Sequence, residues 1–375
     1  MINNQPVTYH TLREIYQQPD MWRKTYQMLL SREKEISEFL SEYNGDDVTI
    51  LFSGAGTSSF IGNILEFILP KYGLYNIKSA STTDITTHPN AFFHKNRKYI
   101  LVSFARSGNS PESLAAVDIA NSICDTNIAH IVITCNENGE LAKRAVKRNI
   151  LLLNLPPETN DIGLAMTSSF STMLLASILI FDSKNLLKKK EAVDNLYKKT
   201  EYFISNYSEQ IKKIAAIDFE RAVFLGSGEL KGIAEECHLK LQELTDGKVI
   251  CLFDSFLGLR HGPKAAINEK TLLVYLFSED DKVFQYERDL VVQTNQQVKP
   301  IAQIYVSQKN RKAGNVEFDL EMLPESINST ELDVILYVLI GQLLGFYKSI
   351  ELDLDPDNPS ASGKIARVVE GVTIY

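Results

Sequence analysis

Ser107, Gly108, Asn109 and Ser110 set two hydroxyls and a pliant backbone between an apolar run and a proline. Residues 99–104 are apolar and read as the end of a buried strand, and Pro111 opens an alanine- and leucine-bearing stretch that reaches Cys124. The spacing predicts a helix N-cap at Ser110, with Pro111 at the first helical position and Glu112 in the first turn. A helix start has unpaired N–H donors and a partial positive charge. The loop, with Arg106 just before it, therefore suits a bound anion.

A second hydroxyl-rich turn lies at residues 53–58, where Ser53, Gly54, Ala55, Gly56, Thr57 and Ser58 follow the β-branched run 48–52. A dinucleotide fingerprint would need Gly or Ala at position 59, which is Ser59, and the chain has no triphosphate-binding G-x-x-x-x-G-K-S/T run. Hydroxyls in place of those patterns suit a small phosphate monoester. If the two strands are neighbours, Ser53, Thr57 and Ser58 share a rim with Ser107 and Ser110.

The acid/base candidates come later. Glu243 follows Lys240, Leu241 and Gln242 near the end of a helical pattern, and His261 precedes Gly262, Pro263 and Lys264. A lone glutamate on an amphipathic helix is most often a solvated side chain, and a lone histidine most often structural. Their place beside a glycine turn raises the interest of both. His88, His94 and His130 have no ligand-spaced partners and read as surface or loop residues, so no metal is expected.

The elements that carry these groups repeat. Residues 8–43 have apolar positions at helical spacing, and Gly45 closes them. Strand patterns follow at 48–52, 75–79, 100–104, 130–134 and 150–155, with helices between and a buried helix at 166–181. Residues 184–199, with Lys188, Lys189 and Lys190, read as a solvated helix or bridge. A second half starts near Asp218, with strands at 222–226, 249–253 and 271–277 and helices at 229–244 and 331–349. LFSGAGTS at 51–58 is echoed by VFLGSGEL at 223–230, so the chain reads as two copies of one α/β unit with parallel sheets.

The 375 residues carry a formal net charge of −8, which argues against a nucleic-acid surface as the main function. Cys124, Cys135, Cys237 and Cys251 lack metal-type pairing and read as free, mostly buried thiols of a reducing cytoplasm. Residues 3–6 carry no leader-like pattern, and the apolar stretches 166–181 and 332–347 fall short of a membrane span.

With these segments in view, the chain resembles the tandem SIS (sugar isomerase) domain proteins, and within them the AgaS family of galactosamine-6-phosphate deaminase/isomerases of the tagatose-6-phosphate ketose/aldose isomerase type. The resemblance rests on SGAGTSSF at 53–60, SFARSGNSPESL at 103–114, LPPETNDIGLAMTSSFS at 155–171, LGSGELKG at 225–232, FDSFLGLRHGPK at 253–264 and PDNPSASGKIARVVEGV at 356–372. It implies two αβα sandwiches, each around a five-stranded parallel sheet. The implied division is a helical segment at 1–45, SIS domains at 46–200 and 201–350, and a tail at 351–375 near the active site.

The resemblance also implies roles. Ser107, Gly108, Asn109 and Ser110, with Gly56, Thr57 and Ser58 beside them, fall where relatives bind phosphate. Glu243 falls at the proton-transferring carboxylate, Lys240 at a neighbouring lysine, and His261 at a ring-opening histidine that in relatives reaches a neighbouring subunit's site. These roles follow from similarity to the isomerase half of glucosamine-6-phosphate synthase; Arg106 stands where that synthase has a neutral amide, so the resemblance implies that phosphate binding here rests more on charge. Glu370 aligns with an active-site lysine of that synthase, and the role is open between Lys364 and Arg367. Glu158, Asn160 and Asp161 either line the pocket or shape a loop.

The implied activity is deamination and isomerisation of galactosamine 6-phosphate to tagatose 6-phosphate, without cofactor or metal, in a cytoplasmic homodimer or larger homo-oligomer with sites between subunits. A simple ketose/aldose isomerase, a fructosamine-phosphate deglycase and a non-catalytic sugar-phosphate sensor are the alternatives.

Overall fold

The computed structural model describes residues 8–375 other than 44, 46, 146–148, 324–328, 362 and 370. Residues 3–6 and Glu370, both singled out above, lie outside the described residues. Contacts divide the chain into two compact units, one made of residues 20–162, 166–194 and 366–375, the other of residues up to Pro19, 163–165 and 195–365.

Three helices lead the chain: α1 (His10–Tyr16), α2 (Gln18–Ser31) and α3 (Glu33–Glu42). The unit that contains residues 20–162 is built on β1 (Val48–Gly54), α4 (Thr57–Ile68), β2 (Ile77–Ser81), α5 (Thr82–Thr87), β3 (Lys98–Ala105), α6 (Pro111–Cys124), β4 (Ile128–Thr134), α7 (Glu140–Arg144), β5 (Ile150–Asn154) and α8 (Ser168–Phe181). Its strands are all parallel in the order β2-β1-β3-β4-β5. Each βα crossover covers the sheet on both faces, which is why β1 and β4 are buried along their whole length, the polar Thr49, Ser53, His130 and Thr134 included. Leu51, Tyr99 and Leu101 pack on Ala116, Ala120 and Cys124 of α6, while Phe52 turns the other way to Phe181 of α8, ring centroids 5.6 Å apart.

After α9 (Lys190–Ala215) the pattern returns as β6 (Arg221–Gly226), α10 (Glu229–Leu244), β7 (Ile250–Asp254), β8 (Thr271–Leu276), α11 (Asp281–Gln297), β9 (Ala302–Val306), β10 (Leu320–Met322) and α12 (Val338–Glu351). The order β10-β9-β8-β6-β7 is the same topology, so β6 corresponds to β1 and β8 to β3. Tyr275, Phe277 and Tyr305 form an aromatic core with Phe256 and Phe284 on one face. On the other face α10 packs against β6, β7 and α12. The stretch read at 332–347 as too short for a membrane span extends over Glu331–Glu351, which is long and apolar enough to cross one; 94 % of its most apolar window is buried, as in a core helix.

Three readings need correction or completion. His130 is not a surface or loop residue: it is 1 % exposed on β4, with Nε2 3.0 Å from Asn121 Oδ1. A histidine with a polar partner sits well inside a sheet, and its neighbours in sequence are as apolar as a buried strand demands. The Ser110 hydroxyl does not cap α6; it donates to Ser113 Oγ at 2.6 Å, although Ser110 holds the extended N-cap backbone. Residues 278–330 had no predicted elements, yet α11, β9 and β10 complete the second sheet. Their period was hidden because β10 is three residues long and β9 carries a buried glutamine, Gln303.

Candidate active site

Strands β1 and β3 are neighbours, with Ser53 opposite Ser103, so their following turns lie side by side on the sheet's C-terminal edge. Two glycines shape the first turn. A Cβ on Gly54 would lie 2.6 Å from the Ser58 backbone, and Gly56 adopts φ 53°, ψ −131°, a conformation for glycine alone. The helix starts directly after it, at Thr57. Ser53, Thr57 and Ser58 are all buried, and Ser53 Oγ has no hydrogen-bond partner. Ser53 Oγ is thus a buried hydroxyl without a protein partner at the end of β1.

The neighbouring turn is held from outside. Asn136 donates to the Ser107 carbonyl at 2.9 Å, Leu141 N to the Gly108 carbonyl at 3.0 Å, and Glu140 N to Asn109 Oδ1 at 2.9 Å. Asn109 thus spends its side-chain oxygen on the start of α7, while Gly108 takes φ +69°. At the helix start Ser107 Oγ accepts from Asn109 N at 3.3 Å, the Ser110 hydroxyl is donated to Ser113, and Arg106 just before them in the chain is buried. The edge therefore gathers Ser53, Thr57, Ser58, Arg106, Ser107 and Ser110 on adjacent turns.

The second unit repeats this geometry with opposite chemistry. Gly228 copies Gly56, but Glu229 and Leu230 replace Thr57 and Ser58. After β8 come Ser278, Glu279 and Asp280, and Asp280 caps α11 itself by accepting from Lys282 N at 2.8 Å and Val283 N at 3.0 Å. Glu287, fully buried, accepts from Ser278 N at 3.0 Å, and burial pushes its carboxyl up to about 7 against the hydrogen bonds from Ser227 and Ser278. At the turn after β8 the backbone N–H groups of Ser278, Lys282 and Val283 thus bond to carboxylates of the chain itself.

What the second unit supplies is a charged row on α10. Glu236, Lys240 and Glu243 fall on one helix face at i, i+4 and i+7. Lys240 is fully buried; Nζ lies 3.4 Å from Glu236 Oε1 and hydrogen-bonds to Glu243 Oε1. Glu236 is fully buried as well, whereas the Glu243 side chain keeps 16 % of its surface open. A buried lysine between two carboxylates leaves the outer one held, oriented and reachable. Glu236 was missed by sequence reasoning, although its i, i+4 spacing to Lys240 was there to be read. His261 stands exposed on the turn Gly258–His261 that follows β7.

The 158–161 segment resolves into separate parts. Glu158 is exposed and paired with Lys24 at 2.5 Å, which holds its carboxyl below the usual range. Asp161 is fully buried, and its carboxylate accepts from the backbone N–H and hydroxyl of each of Thr167, Ser168 and Ser169. It pins the start of α8. Asn160 Oδ1 accepts from Arg367 at 2.9 Å, and Lys364 is exposed. Among the described residues no group of three His, Cys, Asp or Glu side chains is placed to hold a metal.

The SIS domain family matches residues 46–181. Over 375 aligned residues the chain is 37 % identical to a D-galactosamine-6-phosphate deaminase AgaS of Shewanella sp. (strain ANA-3), covering 98 % of this chain and 92 % of that protein. It is 34 % identical to the Escherichia coli protein of the same name, covering 97 % and 95 %. A crystal structure of tagatose-6-phosphate ketose/aldose isomerase from Escherichia coli superposes with a TM-score of 0.89 at 30 % identity, covering 100 % of this chain and 99 % of that one. Full-length identity of this order joins a shared fold to a shared set of turns, and the chain belongs to the AgaS family of SIS-domain proteins.

Proposed function

We propose that the protein is an enzyme that converts D-galactosamine 6-phosphate to D-tagatose 6-phosphate and ammonia. The observation that carries this reading is full-length similarity to proteins of that name, together with a Glu243 carboxylate held by buried Lys240. The hydroxyls of Ser53, Thr57, Ser58, Ser107 and Ser110, with Gly56, Gly108 and Asn109 shaping the turns and Arg106 behind them, hold the phosphate.

The chemistry needs three proton movements. His261 opens the ring by shuttling a proton between O1 and O5, a task suited to an imidazole near neutral pH. Glu243 takes the C2 proton and returns it to C1 while a proton passes from the C2 amine to O1, so the C1 aldehyde becomes a hydroxymethyl group and C2 becomes an imine. Lys240 offsets the negative charge that develops in between. Water then adds to the imine carbon and ammonia leaves, giving the C2 ketone. The isomerisation only relocates protons of the substrate itself, and the water that adds to the imine supplies the hydrogens that leave with ammonia.

The reading includes a cytoplasmic location and a homo-oligomer. A second reading, isomerisation of a neutral sugar phosphate without loss of nitrogen, is favoured by the name of the solved Escherichia coli relative. Ammonia release by the purified protein from galactosamine 6-phosphate and glucosamine 6-phosphate, with the ketose identified, separates them. Ammonia from the galacto epimer supports the deaminase; turnover of tagatose 6-phosphate with no ammonia from either amine overturns it.

A further inference from the structure

Beyond α12 the chain forms no further helix or strand among the described residues, yet the segment at Arg367 is bonded in two directions. Its guanidinium donates from Nε to the Asp161 carbonyl at 2.8 Å, from Nη2 to the same carbonyl at 2.5 Å and from Nη2 to Asn160 Oδ1 at 2.9 Å. Its own carbonyl accepts from Arg106 Nη2 at 2.5 Å. One residue of the tail therefore joins the turn after β5 to the arginine that precedes the Ser107–Ser110 turn after β3.

The two ends of this link differ in stiffness. The Asn160–Asp161 turn is rigid, because the Asp161 carboxylate is tied to three successive residues at the start of α8. Arg106, by contrast, is a long side chain whose planar fork has a direction only when something fixes it. The Arg367 carbonyl is such a fixture, and it is held in place by a guanidinium docked on the rigid turn. Arg106 is 7 % exposed, so its charge works in partly desolvated surroundings where orientation counts for more than at an open surface.

We propose that Arg367 is a positioning residue for the anion turn: it fastens the tail to the Asn160–Asp161 turn and so presents a carbonyl that orients Arg106 toward phosphate. The inference rests on the reading that the Ser107–Ser110 turn holds the substrate's phosphate. It assigns to the tail a role in binding that is exerted through Arg106 and leaves the proton transfers to other residues.

The test is calorimetric titration of the full chain with inorganic phosphate and kinetics with galactosamine 6-phosphate, for wild type, Arg106→Ala, Arg367→Ala, Arg367→Lys and the Arg106→Ala/Arg367→Ala double variant. Each alanine variant is expected to weaken phosphate about tenfold, the size of one charge-assisted hydrogen bond. The double variant should be no weaker than Arg106→Ala alone, because the second change acts through the first. KM should rise with kcat within about twofold, a split that general destabilisation would not produce. Arg367→Lys keeps the charge without the fork and should fall between, which covers the case in which Arg367→Ala loosens the whole tail. Wild-type affinity in Arg367→Ala, or a double variant showing the product of both losses, overturns the positioning role while the phosphate reading stands. Absence of phosphate binding by the wild type overturns the phosphate reading and the inference with it.

Discussion

Gly228 repeats, at the start of α10, the backbone that Gly56 makes at the start of α4: φ 57° and ψ −127° against φ 53° and ψ −131°. The same glycine turn thus introduces a helix that begins with Thr57 and Ser58 in one unit and with Glu229 and Leu230 in the other. Backbone shape was kept between the copies and side-chain chemistry was not.

Gly56→Ala has open space for its methyl group, so its cost is conformational alone. A non-glycine residue forced into this region should destabilise the protein by about 1–3 kcal/mol. Thermal unfolding of the variant measures it, and an unchanged midpoint would show that the turn relaxes.

Ser107→Asp places a fixed negative charge where the phosphate is proposed to sit. The expected outcome is loss of phosphate binding by at least about tenfold with an unchanged fold, since each charge-assisted contact removed is worth about 1.5–3 kcal/mol. Titration calorimetry beside circular dichroism reads both. The corresponding change in the second unit, Ser278→Asp, should leave phosphate affinity as it is.

Glu243→Gln should lower kcat by about 10²- to 10⁴-fold while substrate still binds, the range for a lost general acid/base. Lys240→Met does something different: it strands the buried Glu236 carboxylate without its cation and should cost about 3–5 kcal/mol of stability. Steady-state kinetics for the first and chemical denaturation for the second distinguish a chemical role from a structural one. Normal turnover by Glu243→Gln would remove it from the mechanism.

Glu287 sets a pH dependence with a definite sign. Its carboxyl is raised by burial to about 7, above the unfolded value, so the folded state binds the extra proton. The stability it contributes is fully present at low pH, below the unfolded value, and is lost as pH rises toward and through 7. Glu287→Gln should therefore be more stable than wild type at pH 8 by up to ~3 kcal/mol, with the gap closing toward pH 5. Melting curves across that range would contradict the account if the two proteins tracked each other.

Much of this was legible in the residues. The α6 boundaries Pro111–Cys124 follow from Ser110-Pro111, and α10 from the glycine turn ahead of Glu229. Strand neighbours β1 and β3 followed from the βα repeat, which brings Ser53 and Ser107 to one edge. What sequence patterns hid was long-range pairing. Nothing local at Arg367 announces Asp161, and nothing at Asp161 announces three hydroxyl residues six to eight positions on. His130 opened the strand pattern at 130–134 and was still read as a surface or loop residue, because only its long-range partner Asn121 shows how a buried imidazole is satisfied there.

The self-capped start of α11 has a consequence for how the molecule meets a crowded ionic solution. Asp280 is covalently attached to the helix it caps, so its effective concentration at those N–H groups is far above that of any dissolved competitor. Dissolved phosphate or sulfate would have to displace a tethered carboxylate to reach the start of α11. Two units of one topology thus differ at this helix start: α11 carries its own anion, and α6 has no side-chain cap.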